Sequence, residues 1–293
     1  MAASSRRSRY VRAATSGLPV LGPRQLVVLT WLSQMPVLSS AQLAALCQCS
    51  LKALLRLMRP LFDAGLVDVL AVPRAVFAEA DEPNDASLLF GSAKNIYRLS
   101  SAGVALLVAS GHLAAKKRAV SLGPKNAWFL QHQLACADLR VWVEQLARVI
   151  PGASLCFFKT GAEAAIALAS ASSPKSLYPD AAFGLVLGER VLVALCEMDL
   201  ATEGPLRWRD KLAAYARAFS GDRLKRALGY QRGRLLIITM PKRLERLVQI
   251  VQEQAAPPLL AHVWIADAAV LNQPDPAKQQ WYRPGKGGFS SLV

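Results

Sequence analysis

Asp180, Glu197, Asp199 and Lys211 are the residues whose types and spacing in this chain could do chemistry. Asp180 follows Pro179 directly before an apolar run, Ala181–Leu187, and Glu197 and Asp199 close a second run, Val191–Asp199. The turn Gly188-Glu189-Arg190 joins the two runs as a hairpin. Side chains alternate along a strand, so Glu197 and Asp199 share one face while Cys196 and Met198 take the other. A hairpin sets the start of one strand beside the end of the next, which brings Asp180 toward both carboxylates. Carboxylates gathered at a sheet edge repel one another unless a cation neutralises them, and hard oxygen donors suit Mg²⁺ or Mn²⁺. Asp180, Glu197 and Asp199 are therefore the expected metal ligands. Such an ion would polarise a phosphate ester and lower the pKa of an attacking water. Lys211, one helical stretch downstream, would steady that water or the developing negative charge. The plainer alternative is that Glu197 and Asp199 end a strand in solvent, the usual fate of a lone acidic pair; the Pro-Asp, the hairpin and the Glu-x-Asp in this order bring the metal site level with it.

A second set of residues is basic. Lys52, Arg56 and Arg59 recur every three to four positions and would share one helix face. Such a stripe is usually a solvated face. Set on the last helix of a helix-turn-helix it would meet DNA, with arginine reading guanine edges and lysine meeting phosphate. Arg6, Arg7, Arg9 and Arg12 form a basic arm of the kind that follows a minor groove.

The elements that must position these residues fall into two halves. Three helices are expected first: Pro23–Met35, opened by a proline; Ala41–Cys47, capped by Ser39-Ser40; and Leu51–Ala64, capped by Ser50 and stopped by Gly65. In the third, Leu51, Leu54, Leu55 and Met58 are expected to face inward. Strands at Leu66–Val72 and Ile96–Leu99 would flank a polar excursion, Glu79–Asp85, and a further helix runs Val104–Ser110. Helices followed by a hairpin are the order of a winged helix-turn-helix. The second half reads as a long helix, Asn126–Val149, strands at Ser154–Phe158, Ala181–Leu187 and Val191–Asp199, a helix Leu206–Phe219, a strand Arg234–Thr239, a helix Pro241–Gln254 and a strand Ala261–Ala266. Helix, three strands, helix, strand, helix, strand is the core of a restriction-endonuclease-like α/β domain. The expected organisation is thus a mixed α/β chain: a flexible basic arm over 1–22, a winged helix over 23–115, a nuclease-like domain over 116–271 beginning at the basic run Lys116-Lys117-Arg118, and an irregular Pro- and Gly-rich tail over 272–293.

Composition narrows the partners. Among 293 residues, 35 Lys and Arg against 20 Asp and Glu leave a formal charge of +15, and 53% of residues are hydrophobic. A chain so basic and so apolar packs cores and attracts polyanions, duplex DNA foremost. No apolar stretch reaches the roughly 18–20 residues that span a bilayer, so no membrane insertion is expected. Ser5-Arg6-Arg7-Ser8-Arg9 lacks the apolar segment that would make it an export signal. The five cysteines, Cys47, Cys49, Cys136, Cys156 and Cys196, are scattered without the histidines of a zinc site and are expected to be free thiols in a reducing cytoplasm. His132 follows Trp128 and Phe129 and is expected to be a core histidine; His112 and His262 stand alone, and neither Tyr10 nor Tyr178 has a partner that would make it a nucleophile.

The motifs together resemble a known family. Tyr178-Pro179-Asp180-Ala181, the run Glu197-Met198-Asp199-Leu200-Ala201-Thr202-Glu203, Lys211-Leu212 with Tyr215, Ala64-Gly65-Leu66-Val67, and Tyr97-Arg98-Leu99-Ser100-Ser101-Ala102-Gly103 look like the bacterial replication-relaxation family, which includes plasmid mobilisation relaxases of the MobC type. The resemblance covers about Pro23 to Asp267. It implies a winged helix joined to a PD-(D/E)xK-like domain, acting on DNA of a plasmid or integrative element with other mobilisation or replication proteins. The chain departs from the nuclease pattern at one point: Asp199 occupies the position two after Glu197 where a lysine is usual, so Lys211 must supply the ammonium. Two functions follow as expectations: a metal-dependent nicking relaxase, or a non-catalytic DNA-binding regulator on a pseudo-nuclease domain.

Overall fold

The computed structural model describes residues 10–13, 20–70, 95–114, 127–168, 176–200 and 203–293. They form a mixed α/β protein that divides into two compact units, one up to Ala137 and one from Asp138. The division falls inside the long helix rather than at residue 116. The excursion Glu79–Asp85, the basic run Lys116-Lys117-Arg118, and Arg6, Arg7 and Arg9 lie outside the described residues.

In the first unit, helix α1 (Pro23–Gln34) starts at a proline, which needs no amide partner there, and buries Val28, Leu29 and Leu32. Strand β1 (Leu38–Ser39) leads into α2 (Ser40–Leu46) through a capping box: Gln42 N–H donates to Ser39 Oγ at 3.3 Å, and Ser39 N–H donates to Gln42 Oε1 at 2.8 Å. Ser50 caps α3 (Leu51–Asp63) by accepting from Ala53 N–H at 3.2 Å. Leu54, Met58, Leu61 and Phe62 are the buried face of α3. Each such side chain contributes about 1.5–3 kcal/mol relative to exposure. Leu51 and Leu55, expected inside, are 49% and 39% exposed. Both are helical residues on the flank of the inward stripe, which follows 54, 58, 61 and 62 instead.

Gly65, at φ +74°, takes the left-handed turn from α3 into β2 (Val67–Leu70). Strand β3 (Ile96–Leu99) lies between β1 and β2, antiparallel to both. Ser100 caps α4 (Ser101–Ala109). Gly103 lets that helix press on the β2 entry, because a Cβ there would lie 2.3 Å from the Leu66 carbonyl. The unit thus combines α1–α4 with a three-stranded antiparallel sheet in the order β1-β3-β2.

Helix α5 (Ala127–Val149) carries the division between the units. In the second unit a seven-stranded mixed sheet forms the middle layer, with the order β12-β11-β10-β9-β8-β7-β4. Its members are β4 (Ser154–Thr160), β7 (Ala181–Leu187), β8 (Arg190–Asp199), β9 (Arg234–Thr239), β10 (Val263–Asp267), β11 (Gln280–Arg283) and β12 (Gly288–Ser291). The β8–β9 and β9–β10 pairs are parallel and the others antiparallel. A small pair, β5 (Ile166–Ala167) and β6 (Ser176–Leu177), stands apart from this sheet. One sheet face is covered by α6 (Pro205–Phe219), α7 (Arg223–Leu228), α8 (Leu244–Gln254) and α9 (Pro257–Leu260), whose Trp208, Leu212, Leu247 and Ile250 pack with Val193, Leu195, Leu235 and Ile237. The other face holds Trp142, 6.4 Å from the Phe183 ring and 5.8 Å from that of Trp281. Helix, three strands, helix, strand, helix, strand recurs here as the spine of the unit, the order of the restriction-endonuclease-like core.

The tail from 272 was expected to be irregular; it contains a short 3-10 turn, Pro276–Lys278, and then the β11–β12 hairpin, which extends the sheet beyond β10. Its proline and glycine content hid two short strands whose anchor is the fully buried Trp281. Among the described residues, no helix is long and apolar enough to cross a membrane. Of the cysteines, Cys136 and Cys196 are buried and Cys156 is exposed.

Candidate functional site

The β7–β8 ladder aligns Ala181 with Cys196, so Asp180 stands one step before the ladder, level with the Glu197–Met198 segment. Its carboxylate accepts the Met198 amide at 2.7 Å and ties the β7 entry to the end of β8. Glu197 and Asp199 both point to the α6/α8 side, as strand alternation requires. Glu197 is 3% exposed. Helix α6 reaches it with two residues four apart on one face: Lys211 Nζ lies 2.8 Å from Oε2, and the Tyr215 hydroxyl donates to Oε1. Lys211 Nζ also lies 2.8 Å from Glu203 Oε2 and 5.1 Å from the centre of the Trp208 ring.

Asp199 has different partners. Its Oδ2 accepts from Arg243 Nε at 2.6 Å and from Thr239 Oγ1 at 2.9 Å, whereas Oδ1 is buried without a hydrogen bond. Thr239 is the β9 residue paired with Asp199 in the parallel ladder, and Arg243 follows where β9 turns into α8. Arg243 also donates to the Glu203 carbonyl, and Arg207 Nε lies 3.0 Å from Glu203 Oε1. The result is a chain of contacts, Asp199 to Arg243 to the Glu203 main chain, and the Glu203 carboxylate to Lys211 to Glu197, along the ends of β8 and β9.

Burial and then the charge of Asp180 raise the Glu197 carboxyl from 4.5 to about 7, against the opposing pull of Lys211 and Tyr215. Burial works against the charge on Lys211, but Glu197 and Glu203 outweigh it and its pKa rises. Tyr215 is pushed up by burial and by Glu197. The Glu197 shift has a consequence for stability. The folded chain keeps a proton that the unfolded chain has released between about pH 4.5 and 7, so stability falls as pH rises through that window. A displacement of that size is worth about 3 kcal/mol. Urea denaturation at pH 5 and pH 7.5 is expected to show this decline in the unaltered protein and a flatter profile in Glu197→Gln; equal slopes would place the titrating group elsewhere.

The three carboxylates expected to share one cation are not gathered as a trio. Among the described residues, no group of three or more His, Cys, Asp or Glu side chains is arranged to hold a metal. Asp199 departs because the parallel β8–β9 pairing hands it to Thr239 and Arg243. Asp180 and Glu197 remain as neighbouring hard donors, and Mg²⁺ commonly takes one or two carboxylates, completing its shell with water and phosphate. The pair fits that demand.

Of the basic stripe, Lys52 and Arg56 are exposed on α3 beside Leu51 and Leu55. Arg59 is otherwise engaged: it pairs with Asp63 at 2.9 Å and donates to the Val11 carbonyl at 3.0 Å. Arg12 of the basic arm is likewise held, 2.7 Å from Asp68 and stacked 5.0 Å over Phe62. Neither guanidinium stands out for a groove, because both fasten residues 10–13 to α3 and β2. His132 contacts Trp128 and Cys136 of its own helix. His112 and His262 each contact a backbone carbonyl at 2.9 Å. Tyr215, Glu203, Thr239 and Arg243 are the site residues that sequence reasoning did not assign. Tyr215 and Glu203 stood within the family-like stretches, and Tyr215 lies one turn from Lys211; Arg243 and Thr239 carried no such signal.

Among curated proteins there is no sequence match to this chain. Two solved structures of the restriction endonuclease FokI, one free and one bound to DNA, are similar at 9% and 8% identity, with TM-scores of 0.28 and 0.27. Each match covers 85% of this chain and 42% or 43% of the FokI chain, so this protein spans less than half of that length. Values this low leave the fold assignment to the strand order itself. The replication-relaxation family model matches residues 29–231, and the chain belongs to the replication-relaxation family.

Proposed function

We propose that this protein binds duplex DNA through α3 and nicks one strand with Mg²⁺ or Mn²⁺ at Asp180, Glu197 and Lys211, in the replication or mobilisation of a plasmid or integrative element. The observation that carries the reading is the position of Lys211. The PD-(D/E)xK pattern wants an ammonium two residues after the glutamate, where this chain has Asp199, and α6 delivers one 2.8 Å from Glu197 instead. Asp180 and Glu197 would hold the divalent ion, which when bound supplies a Lewis acid for the scissile phosphate. Lys211 keeps a positive charge beside the carboxylates, where negative charge develops on the phosphate. Tyr215 holds the second oxygen of Glu197 and so sets the plane of that carboxylate. Asp199 and Arg243 brace the ends of β8 and β9 and take no part in the chemistry. The cytoplasm is the compartment where such DNA is met, and other mobilisation or replication proteins are the expected partners. Conversion of supercoiled plasmid to open circles tests the cleavage reading.

A second reading has an observation of its own. Both Glu197 oxygens already have partners in Lys211 and Tyr215, and Arg243 neutralises Asp199, so the network closes without a cation. On this reading the protein is a DNA-binding regulator and the second unit is a retired nuclease.

Both readings need α3 to meet DNA. Arg56→Ala is expected to cost about 1–3 kcal/mol at the cognate site and to relax discrimination there, whereas Lys52→Ala weakens all duplexes alike and lowers the salt slope by about one. Fluorescence anisotropy on a set of duplexes from the source element measures both. Unchanged affinity in both variants would remove α3 from the interface.

A further inference from the structure

The carboxylates occupy one end and one face of the large sheet. Three arginines lie on its other face, Arg190 at the far end of β8 and Arg234 and Arg283 progressively closer to the level of the carboxylates. Arg190 is the first residue of β8, Arg234 the first of β9, and Arg283 the last of β11. In the ladder, Arg234 lies level with Ala194, and the Ile265–Tyr282 pairing sets Arg283 beside Trp264. From Arg190 to Glu197 is seven residues of strand, roughly 23 Å at about 3.3 Å per residue. The guanidinium carbons of Arg234 and Arg283 both lie 4.4 Å from the centre of the Trp264 ring. Trp264 is 5% exposed, while Arg190 is open to solvent and the other two arginines are half-buried.

What these arginines lack is acid. Arg234 donates to the Leu292 carbonyl and Arg283 to the Ala261 carbonyl at 3.4 Å, and the Nε of Arg283 is buried without a hydrogen-bond partner. Among the described residues no carboxylate pairs with any of the three, although ten ion pairs elsewhere join Lys or Arg to Asp or Glu within 3.2 Å. Arg234 registers the crowding: burial, then Arg283 and Arg190, hold its pKa down. An indole platform orients guanidinium planes without neutralising them. Like charges brought together on such a platform leave a site whose missing component is an anion, and a planar fork with free N–H groups matches phosphate oxygens.

We infer that Arg234 and Arg283, stacked on Trp264, form with Arg190 beside Arg234 a second phosphate-binding surface that grips the nucleic-acid backbone on the sheet face opposite the carboxylate site. The inference rests on the reading of the protein as a DNA-binding protein for the choice of ligand, and on the arginine geometry for the site itself. The surface reads no sequence; it adds affinity and holds the duplex in register, as backbone contacts do.

The test uses the full chain. Affinity for a 30-base-pair duplex is measured against salt for the unaltered protein, Arg190→Gln, and Arg190→Gln/Arg283→Gln. Each phosphate contact contributes about 0.9 to the slope of log K against log salt. The expected result is a slope lower by about one in the single variant and about two in the double, with affinity down about tenfold or more. An unchanged slope in both variants overturns the inference. Arg190 is exposed, so Arg190→Gln remains informative if the double variant folds poorly. If the unaltered protein binds no duplex, the DNA-binding reading fails, and titration calorimetry with pyrophosphate then decides the site: binding lost in Arg190→Gln keeps an anion site, and no binding by the unaltered protein overturns it.

Discussion

Replacing Arg243 with alanine is expected to destabilise the second unit by about 3–5 kcal/mol, the usual cost of stripping the partner from a buried charge. The Asp199 side chain is 1% exposed and that of Arg243 18%. Without the guanidinium, Asp199 Oδ2 keeps only the Thr239 hydroxyl, and Oδ1 already has no hydrogen bond. The Glu203 carbonyl loses its donor in the same substitution. The pair holds the ends of β8 and β9 together, and Glu197 stands two residues away on β8. The damage is therefore expected to spread to the carboxylate site. Urea denaturation measures it, with the m-value as a check on two-state unfolding. Thr239→Val, which removes one neutral hydroxyl, is expected to cost about 1 kcal/mol. The double change Asp199→Asn/Arg243→Met removes both charges and is expected to recover most of the loss. A loss below 1 kcal/mol for Arg243→Ala would mean that water screens Asp199 despite its burial.

Lys211→Met carries the largest expected effect on activity: nicking in Mg²⁺ or Mn²⁺ falls by about 10²–10³-fold, the range seen when one charge-stabilising donor is removed. Methionine keeps the length of the side chain against Trp208 and deletes the ammonium that Glu197 and Glu203 share. Because Lys211 holds the Glu197 pKa down against burial and Asp180, its loss moves that pKa further up. The pH at which residual activity is half-maximal is expected to shift upward in the variant, a change that simple misfolding would not produce. Duplex affinity is expected to stay within about twofold, since α3 is unaltered. A loss of binding as large as the loss of nicking would turn Lys211 into a DNA contact rather than a member of the cleavage site.

How much of this was legible in the sequence depends on whether the information was local. The runs Ala181–Leu187 and Arg234–Thr239 read as strands because each is an unbroken apolar stretch between turn residues. Ser39 and Ser50 could be picked out as helix caps for the same reason: the acceptor and the amide it serves are within three residues. The proximity of Lys211 to Glu197 was within reach because a single helix connects them. Asp199 was read as a metal ligand because alternation puts it on the face of Glu197. Its partner, Arg243, lies 44 residues downstream and arrives through the parallel β8–β9 pairing, which no local spacing reveals. Arg59 and Arg12 looked like DNA contacts because a sequence displays the charge and conceals the partner. Their acids, Asp63 and Asp68, are one of them a helical turn away and the other 56 residues away. The β11–β12 hairpin was missed because Pro284, Gly285, Gly287 and Gly288 dominate the tail's composition, while the strand anchor is the single tryptophan, Trp281. The arginines stacked on Trp264 were invisible for a related reason: β9, β10 and β11 each supply one of the three residues.

The central claim is that Asp180, Glu197 and Lys211 form a metal-dependent strand-nicking centre. The direct measurement is a time course of supercoiled plasmid from the source element with purified protein, in Mn²⁺, in Mg²⁺ and in chelator, beside Asp180→Asn and Lys211→Met. The account predicts open circles in either metal, none in chelator, and a loss of at least about a hundredfold in both variants with duplex binding retained. Bound duplex with no open circles from the unaltered protein in either metal would contradict it, and would leave a DNA-binding regulator built on a nuclease fold.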